Sequence, residues 1–146
     1  MKQKQIVVGL GLLVNDKNQV LISLRNDPGS NGEDDKWEIP GGGVEFGETI
    51  KQTVTREMKE ELGVDISFLD YPPIVRSHVW KYPDIHVQVI LIGYICKTTG
   101  TPRPANEEVA DVRWVAADEI DSLDYLPLCD VFVKKVTASL TSSRDS

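Results

Sequence analysis

The apolar and polar positions of this chain fall into a run of strand patterns, one helical pattern, more strand patterns and a second helical pattern. Gln5 to Val14 is a nearly unbroken stretch of β-branched and aliphatic residues with two glycines, as expected of a strand buried on both faces. Asn15 to Asn18 are turn formers, so Gln19 to Arg25 is predicted to be the hairpin partner of that strand. A polar loop from Asn26 to Lys36 leads to a short strand at Trp37 to Ile39, then Pro40 and three glycines. Val64 to Leu69 alternates like a half-exposed strand. Ile74 to Trp80 and Ile85 to Lys97 read as paired strands joined through Tyr82, Pro83 and Asp84. The second of them is the longest strand pattern in the chain and belongs at the centre of a sheet. Val109 to Val115 follows a turn-rich connection, and Pro127 to Leu140 carries helical period with proline in its first turn. With no internal repeat and no linker, residues 1–140 are expected to form one α/β domain, a mixed sheet sandwiched between helices, and 141–146 a frayed tail.

Between the strand groups lies the stretch GGGVEFGETIKQTVTREMKEELGV, Gly41 to Val64. Its second half predicts an amphipathic helix. Thr49 and Gln52 have the spacing of a capping box, and Gly63 is a natural left-handed stop. Ile50, Val54, Met58 and Leu62 form one apolar stripe suited to lie on a sheet. Glu57, Glu60 and Glu61 flank that stripe as neighbours on the helix surface. Two like charges ~6 Å apart at an effective dielectric of ~20 repel by roughly 3 kcal/mol. Arg56 balances only part of that charge, and the commonest role of such a helix is a solvated surface laced with weak ion pairs. The glycine-dense loop before it favours another role, because its backbone can approach a ligand and offer carbonyls to a hard cation such as magnesium.

The spacing Gly42, five residues, Glu48, seven residues, then Arg56, Glu57, Met58, Lys59, Glu60, Glu61, Leu62, Gly63 and Val64 resembles the Nudix box at every fixed position. The resemblance implies the Nudix fold, an α/β/α sandwich, and hydrolysis of a pyrophosphate bond with Mg2+ or Mn2+. It implies Glu57, Glu60 and Glu61 as metal ligands, helped by the Gly42 carbonyl, and a Glu48–Arg56 ion pair that holds loop to helix. It leaves the base that activates water open among Glu57, Glu60 and Glu108. Glu108 stands, with Glu107 beside it, where family members carry a further carboxylate ahead of a strand with a tryptophan, here Trp114. Arg25 is expected to contact phosphate, and Trp80 and Tyr82 to stack on a base, while Trp37 is expected in the core.

The chain has 146 residues, enough for one domain with a core. A formal net charge of −7 argues against a nucleic-acid polymer or an anionic membrane as partner. The run IVVGLGLLV is too short to span a bilayer, so the cytoplasm is the expected location. Cys96 and Cys129 have no disulfide or metal spacing, and His78 and His86 lack partners at ligand spacing. The branch most resembled is MutT-like, which implies that a nucleoside triphosphate, including oxidised ones such as 8-oxo-dGTP, is cleaved to monophosphate and pyrophosphate. The rival expectations are ADP-ribose or dinucleoside polyphosphate hydrolysis, and a nucleotide sensor without turnover. A homodimer is the commonest assembly for such a domain.

Overall fold

A computed structural model describes residues 1–29 and 33–144. In chain order its elements are β1 (Lys2–Leu13), β2 (Val20–Arg25), β3 (Trp37–Glu38), β4 (Gly41–Gly43), α1 (Ile50–Leu62), β5 (Ser67–Phe68), β6 (Ile74–Lys81), β7 (Ile85–Lys97), β8 (Val109–Val115), a single 3-10 turn (Ile120–Ser122) and α2 (Cys129–Arg144). β1 lies parallel to β7 over its whole length, from Lys2 opposite Ile85 to Leu13 opposite Cys96. The other edge of β1 takes β4, and the other edge of β7 takes β6 and β5, all three antiparallel. A second sheet has the order β3-β2-β8. One mixed sheet between helices is thus observed as expected, with β7 central in it, beside a second sheet that is wholly antiparallel.

The two faces of β1 are filled differently. Leu10 and Leu12 join Phe132, Val133, Val136 and Leu140 of α2 in one core cluster. On the opposite face a Cβ at Gly9 would press on Ile50, Thr53 and Val54, and one at Gly11 would stand 2.5 Å from the Met58 sulfur. The glycines therefore let α1 seat directly on the strand backbone. Val54, Met58 and Leu62 are fully buried there, each contributing about 1.5–3 kcal/mol by burial. Both ends of α1 are built as its sequence predicts. Thr49 Oγ1 accepts from the Gln52 N–H at 3.2 Å while Gln52 Oε1 accepts from the Thr49 N–H at 2.9 Å, and Gly63 closes the helix at φ 69°.

Four expectations are corrected. β2 does not form a hairpin with β1. The turn does fold back, with Asn15 Oδ1 accepting from Gln19 N–H at 3.0 Å and Val14 bridging Val20. β7 occupies one edge of β1 throughout and β4 with Pro40 takes the other from Val8 to Gly11, and beyond the single Val14–Val20 bridge β2 pairs with β8 in the second sheet. The first half of β1 is exposed rather than buried, and it extends to Lys2 because β7 is long enough to pair with it. The strand expected over Val64 to Leu69 shrinks to Ser67–Phe68, since Val64 and Ile66 instead pack into the cluster under α1. The second helix begins at Cys129, after Leu128 turns the chain at a left-handed φ of 75°, and continues through Arg144. Residues 141–144 are thus helical, with Thr141 Oγ1 donating to the Thr137 carbonyl, and 145–146 lie outside the described residues. No described helix is long and apolar enough to cross a membrane.

Candidate active site

The site is assembled where α1 passes beneath β4. Glu57 and Glu61 are one helical turn apart and face the glycine strand, with Glu57's side chain 14% exposed and Glu61 9% exposed. Glu61 Oε2 accepts the Gly41 N–H at 3.0 Å. A Cβ at Gly42 would overlap the Glu57 carboxylate, so only glycine admits that carboxylate to the turn. Glu60 stands at the rim with its side chain 54% exposed.

Arg56 ties these parts together. Its Nε and Nη2 donate to Glu48 at 2.9 and 3.0 Å, its Nη1 to Glu57 at 2.7 Å and Glu60 at 3.3 Å, and its Nη2 also to the Gly43 carbonyl at 3.2 Å. The expected link between loop and helix is therefore present, and Glu48 is further fixed by hydrogen bonds from Thr53 Oγ1 and the Glu45 N–H. The guanidinium and those bonds hold Glu48 down at a pKa of about 2. Burial raises Glu57 against the opposing pull of Arg56. Burial, then the charges of Glu57 and Glu38, push Glu61 up to about 9 despite the Gly41 bond. Such a site carries more negative charge than its own cation relieves.

A hard divalent cation fits this donor set. Every side-chain donor is a carboxylate oxygen, and the Gly42 gap brings Glu57 against a backbone that can supply a carbonyl. Among the described residues no three His, Cys, Asp or Glu side chains converge closely enough to enclose an ion unaided. An ion here would complete its shell with water, backbone oxygen and substrate phosphate, as magnesium characteristically does.

A cleft of about 480 Å3 opens from the glycine turn. Its floor is apolar, formed by β1, β7 and the start of α2, and its polar lining includes Arg25, Glu33, Glu38, His78, Trp80 and Tyr82. His78, Trp80 and Tyr82 share one side of β6 and its extension, with the His78 and Trp80 rings edge-on at 4.8 Å and those of Trp80 and Tyr82 near parallel at 6.4 Å. A smaller adjoining cavity is lined by Arg25, Glu38, Gly41, Glu61 and Glu108. Arg25 borders both. It pairs with Asp27 at 2.9 Å, Glu38 at 3.4 Å and Glu33 at 3.5 Å, and its Nε is buried with no hydrogen-bond partner among the described residues.

A carboxylate-lined glycine turn opening into an aromatic cleft is accompanied by a decisive match: the profile of the NUDIX domain covers residues 4–133. The chain belongs to the Nudix hydrolase family. Among relatives of this Nudix chain, the nucleoside triphosphatase NudI of Escherichia coli K12 is 31% identical over 130 residues, 85% of this chain and 89% of its own length. The NAD-capped RNA hydrolase NudC of Vibrio vulnificus is 32% identical over 84 residues, 58% of this chain, and the match spans only 30% of NudC. The fold is shared with the MutT protein of Methanosarcina mazei, at a TM-score of 0.72 and 22% identity over 95% of this chain and 97% of that one. It is also shared with the Escherichia coli ORF135 protein, at 0.69 and 24% over 97% and 94%.

The structure thus brings the Nudix-box residues Gly42, Glu48, Arg56, Glu57 and Glu61 together, with Glu60 beside them, and places Arg25, Trp80 and Tyr82 in one cleft with Gly42. Glu108, unlike Glu107, lines the cavity containing Glu61. His86 lies apart, in a shallow surface pocket with Gln3, Gln5 and Gln88. Sequence reasoning missed Glu38, whose carboxyl burial pushes up to about 7 against the pull of Arg25. A strand of two residues is too short for alternation to reveal which way a side chain faces. It also missed Glu33, whose carboxylate accepts the Tyr82 hydroxyl at 2.7 Å, a contact between loops 49 residues apart.

Proposed function

We propose that the protein hydrolyses a nucleoside triphosphate to the monophosphate and pyrophosphate with a bound divalent cation. The observation that carries this reading is the continuity of the cleft. It runs from the glycine turn beside Glu57 and Glu61, past Arg25, to the Trp80 and Tyr82 rings. A polyanion with a planar ring at one end has the matching order of groups. The NudI likeness over most of both chains supports triphosphate over dinucleotide substrates.

In this reading Glu57, Glu60, Glu61 and the Gly42 carbonyl hold magnesium or manganese, which supplies charge neutralisation at the phosphates and lowers the pKa of bound water. Arg25 donates to phosphate oxygen, exchanging part of its present pairing with Asp27 and Glu33 for the substrate. Arg56 and Glu48 keep the Gly43 carbonyl fixed to α1, so the turn and the helix present their oxygens as one body. Water attacks the α or β phosphorus and the P–O bond bridging the two breaks, its electron pair leaving with the pyrophosphate in the first case and with the nucleoside monophosphate in the second. Of the three candidate bases, Glu57 and Glu60 have their oxygens engaged by Arg56 and are assigned to the cation in this reading. Glu108 makes no ion pair among the described residues, and we assign it the water proton.

The test is turnover of purified protein with Mg2+ on nucleoside triphosphates including 8-oxo-dGTP, ADP-ribose, diadenosine polyphosphates and nucleotide sugars, with products separated by chromatography. Monophosphate plus pyrophosphate from a triphosphate is expected. Cleavage confined to ADP-ribose or a dinucleotide would overturn the substrate assignment, and binding without cleavage would make the domain a sensor.

A further inference from the structure

Glu107 and Glu108 form the turn that leads into β8, and the carbonyls of both are taken by one residue, Asn26, which follows β2 and lines the same small cavity as Glu108. Asn26 Nδ2 donates to the Glu107 carbonyl at 2.8 Å, and the Asn26 backbone N–H donates to the Glu108 carbonyl at 2.9 Å. The chain reaches this position through an irregularity in the β2–β8 ladder: Leu24 faces Asp111, but Arg25 faces Val109, so β8 carries one extra residue. Bulges of this kind re-aim side chains beside active sites. The approach to Glu108 is held as well. Asn106 Oδ1 accepts the Glu108 N–H at 3.0 Å, and the Ala105 N–H donates at 2.9 Å to the carbonyl of Glu61 itself. The Arg103 N–H donates to the Leu62 carbonyl at 3.1 Å. The segment is thus pinned to the last turn of α1 on one side and to Asn26 on the other.

We propose that Asn26 is a positioning residue that presents the Glu108 carboxylate to the cavity shared with Glu61 and keeps Glu107 out of it. The proposal rests on Glu108 acting in the hydrolase reading above. The backbone bond from Asn26 survives any substitution there, but the side-chain bond does not. Without the carboxamide, the peptide between Glu107 and Glu108 is held on one side only and can rotate, and the Glu108 side chain loses its aim. Nothing in the bond pattern gives the Asn26 carboxamide another task among the described residues.

The experiment is a double-mutant cycle of Asn26→Ala and Glu108→Gln, read in three ways: steady-state kinetics with the triphosphate cleaved fastest, Mn2+ affinity by calorimetry with no nucleotide present, and thermal unfolding. Asn26→Ala is expected to lower kcat about 10-fold or more, the scale of a lost outer-shell partner, with KM little changed. Because the Glu108 charge shares a cavity with Glu61, Mn2+ affinity should weaken in the same variant while the unfolding temperature stays near that of the parent. In the Glu108→Gln background Asn26→Ala should add nothing to either loss, an outcome that a general packing role would not give. Additive losses, or an unchanged kcat and Mn2+ affinity in Asn26→Ala, would overturn the proposal. A Glu108→Gln variant silent in both readouts would also overturn it while leaving the hydrolase reading intact. If the parent protein cleaves nothing in the panel, the hydrolase reading fails, and the Mn2+ cycle by itself decides whether Asn26 aims Glu108.

Discussion

The two helices are built to opposite standards. α1 has a complete capping box, a left-handed glycine stop and a close seat on bare strand backbone, yet it carries Glu57 and Glu61 into partial burial. α2 begins after a leucine held at φ 75° and places Phe132, Val133 and Val136 in the core with no buried charge among its described side chains. The difference teaches where this fold spends stability. Carboxylates that repel one another are kept on the element whose ends and underside are most firmly fixed, so the repulsion cannot relax by moving the helix. α2 lends its first turns to the cleft floor but holds no charge there, and an awkward start is tolerated because its apolar face is so thoroughly buried.

Substitutions can break that contrast. The largest effect on turnover is expected from Glu57→Gln or Glu60→Gln, which should cut Mg2+-dependent kcat by roughly 10²-fold or more, because a ligand of the cation that neutralises the phosphate charge is lost. The far-UV circular dichroism of both variants should match the parent; a misfolded Glu60→Gln would show that this rim residue is structural. The largest effect on stability belongs to α2. Leu140→Ala, in the core and away from the cleft, should destabilise by about 2–5 kcal/mol in urea titrations, leaving activity per folded molecule unchanged at low temperature. A smaller loss, about 1 kcal/mol, is expected from Thr49→Ala, which removes the capping oxygen of α1. If that loss is accompanied by weaker Mg2+ binding, the cap and the carboxylates are coupled as the contrast requires.

The subtlest test is pH. Glu61 and Glu57 have their carboxyl pKa values raised by folding, Glu61 to about 9. Between the ordinary glutamate range and that value the unfolded chain holds fewer protons than the folded one. The stabilising contribution is therefore whole below the ordinary range and lost as pH climbs toward 9. Without divalent cation the unfolding temperature should fall from pH 5 to pH 9, Glu61→Gln should flatten the slope, and saturating Mg2+ should reverse it by favouring the ionised form. Glu48 has the opposite sign, since its depressed pKa of about 2 contributes above the ordinary range and fades as pH drops toward 2.

How much of this was legible depended on the range of the forces involved. The local signals were decisive for α1: Thr49, Gln52 and Gly63 act within one turn of themselves, and the spacing of Glu57, Glu60 and Glu61 fixes their mutual positions once the helix exists. The pairing of β1 with β7 instead of β2 was not legible, because it depends on competition for two strand edges by segments far apart in the chain. The same limit hid Glu38 and Asn26. Their chemistry is unremarkable in sequence, and their importance comes from what β8 and the approach to Glu108 bring beside them. Leu128 could not be anticipated either, since a leucine carries no mark of a left-handed backbone.

The chain contains two methionines, and they sit at opposite extremes: Met1 is 79% exposed, while Met58 is fully shielded with its sulfur against Gly11. They form a built-in pair of chemical clocks. A sulfoxide oxygen on Met58 has no room while the helix is seated, so peroxide can reach that sulfur only when α1 lifts from the sheet. Oxidation of Met1, followed by mass spectrometry, gives the reagent's free rate; oxidation of Met58 gives the rate of lifting. A slower Met58 clock in the presence of Mn2+ would show that a cation bound to the carboxylates clasps the helix from outside.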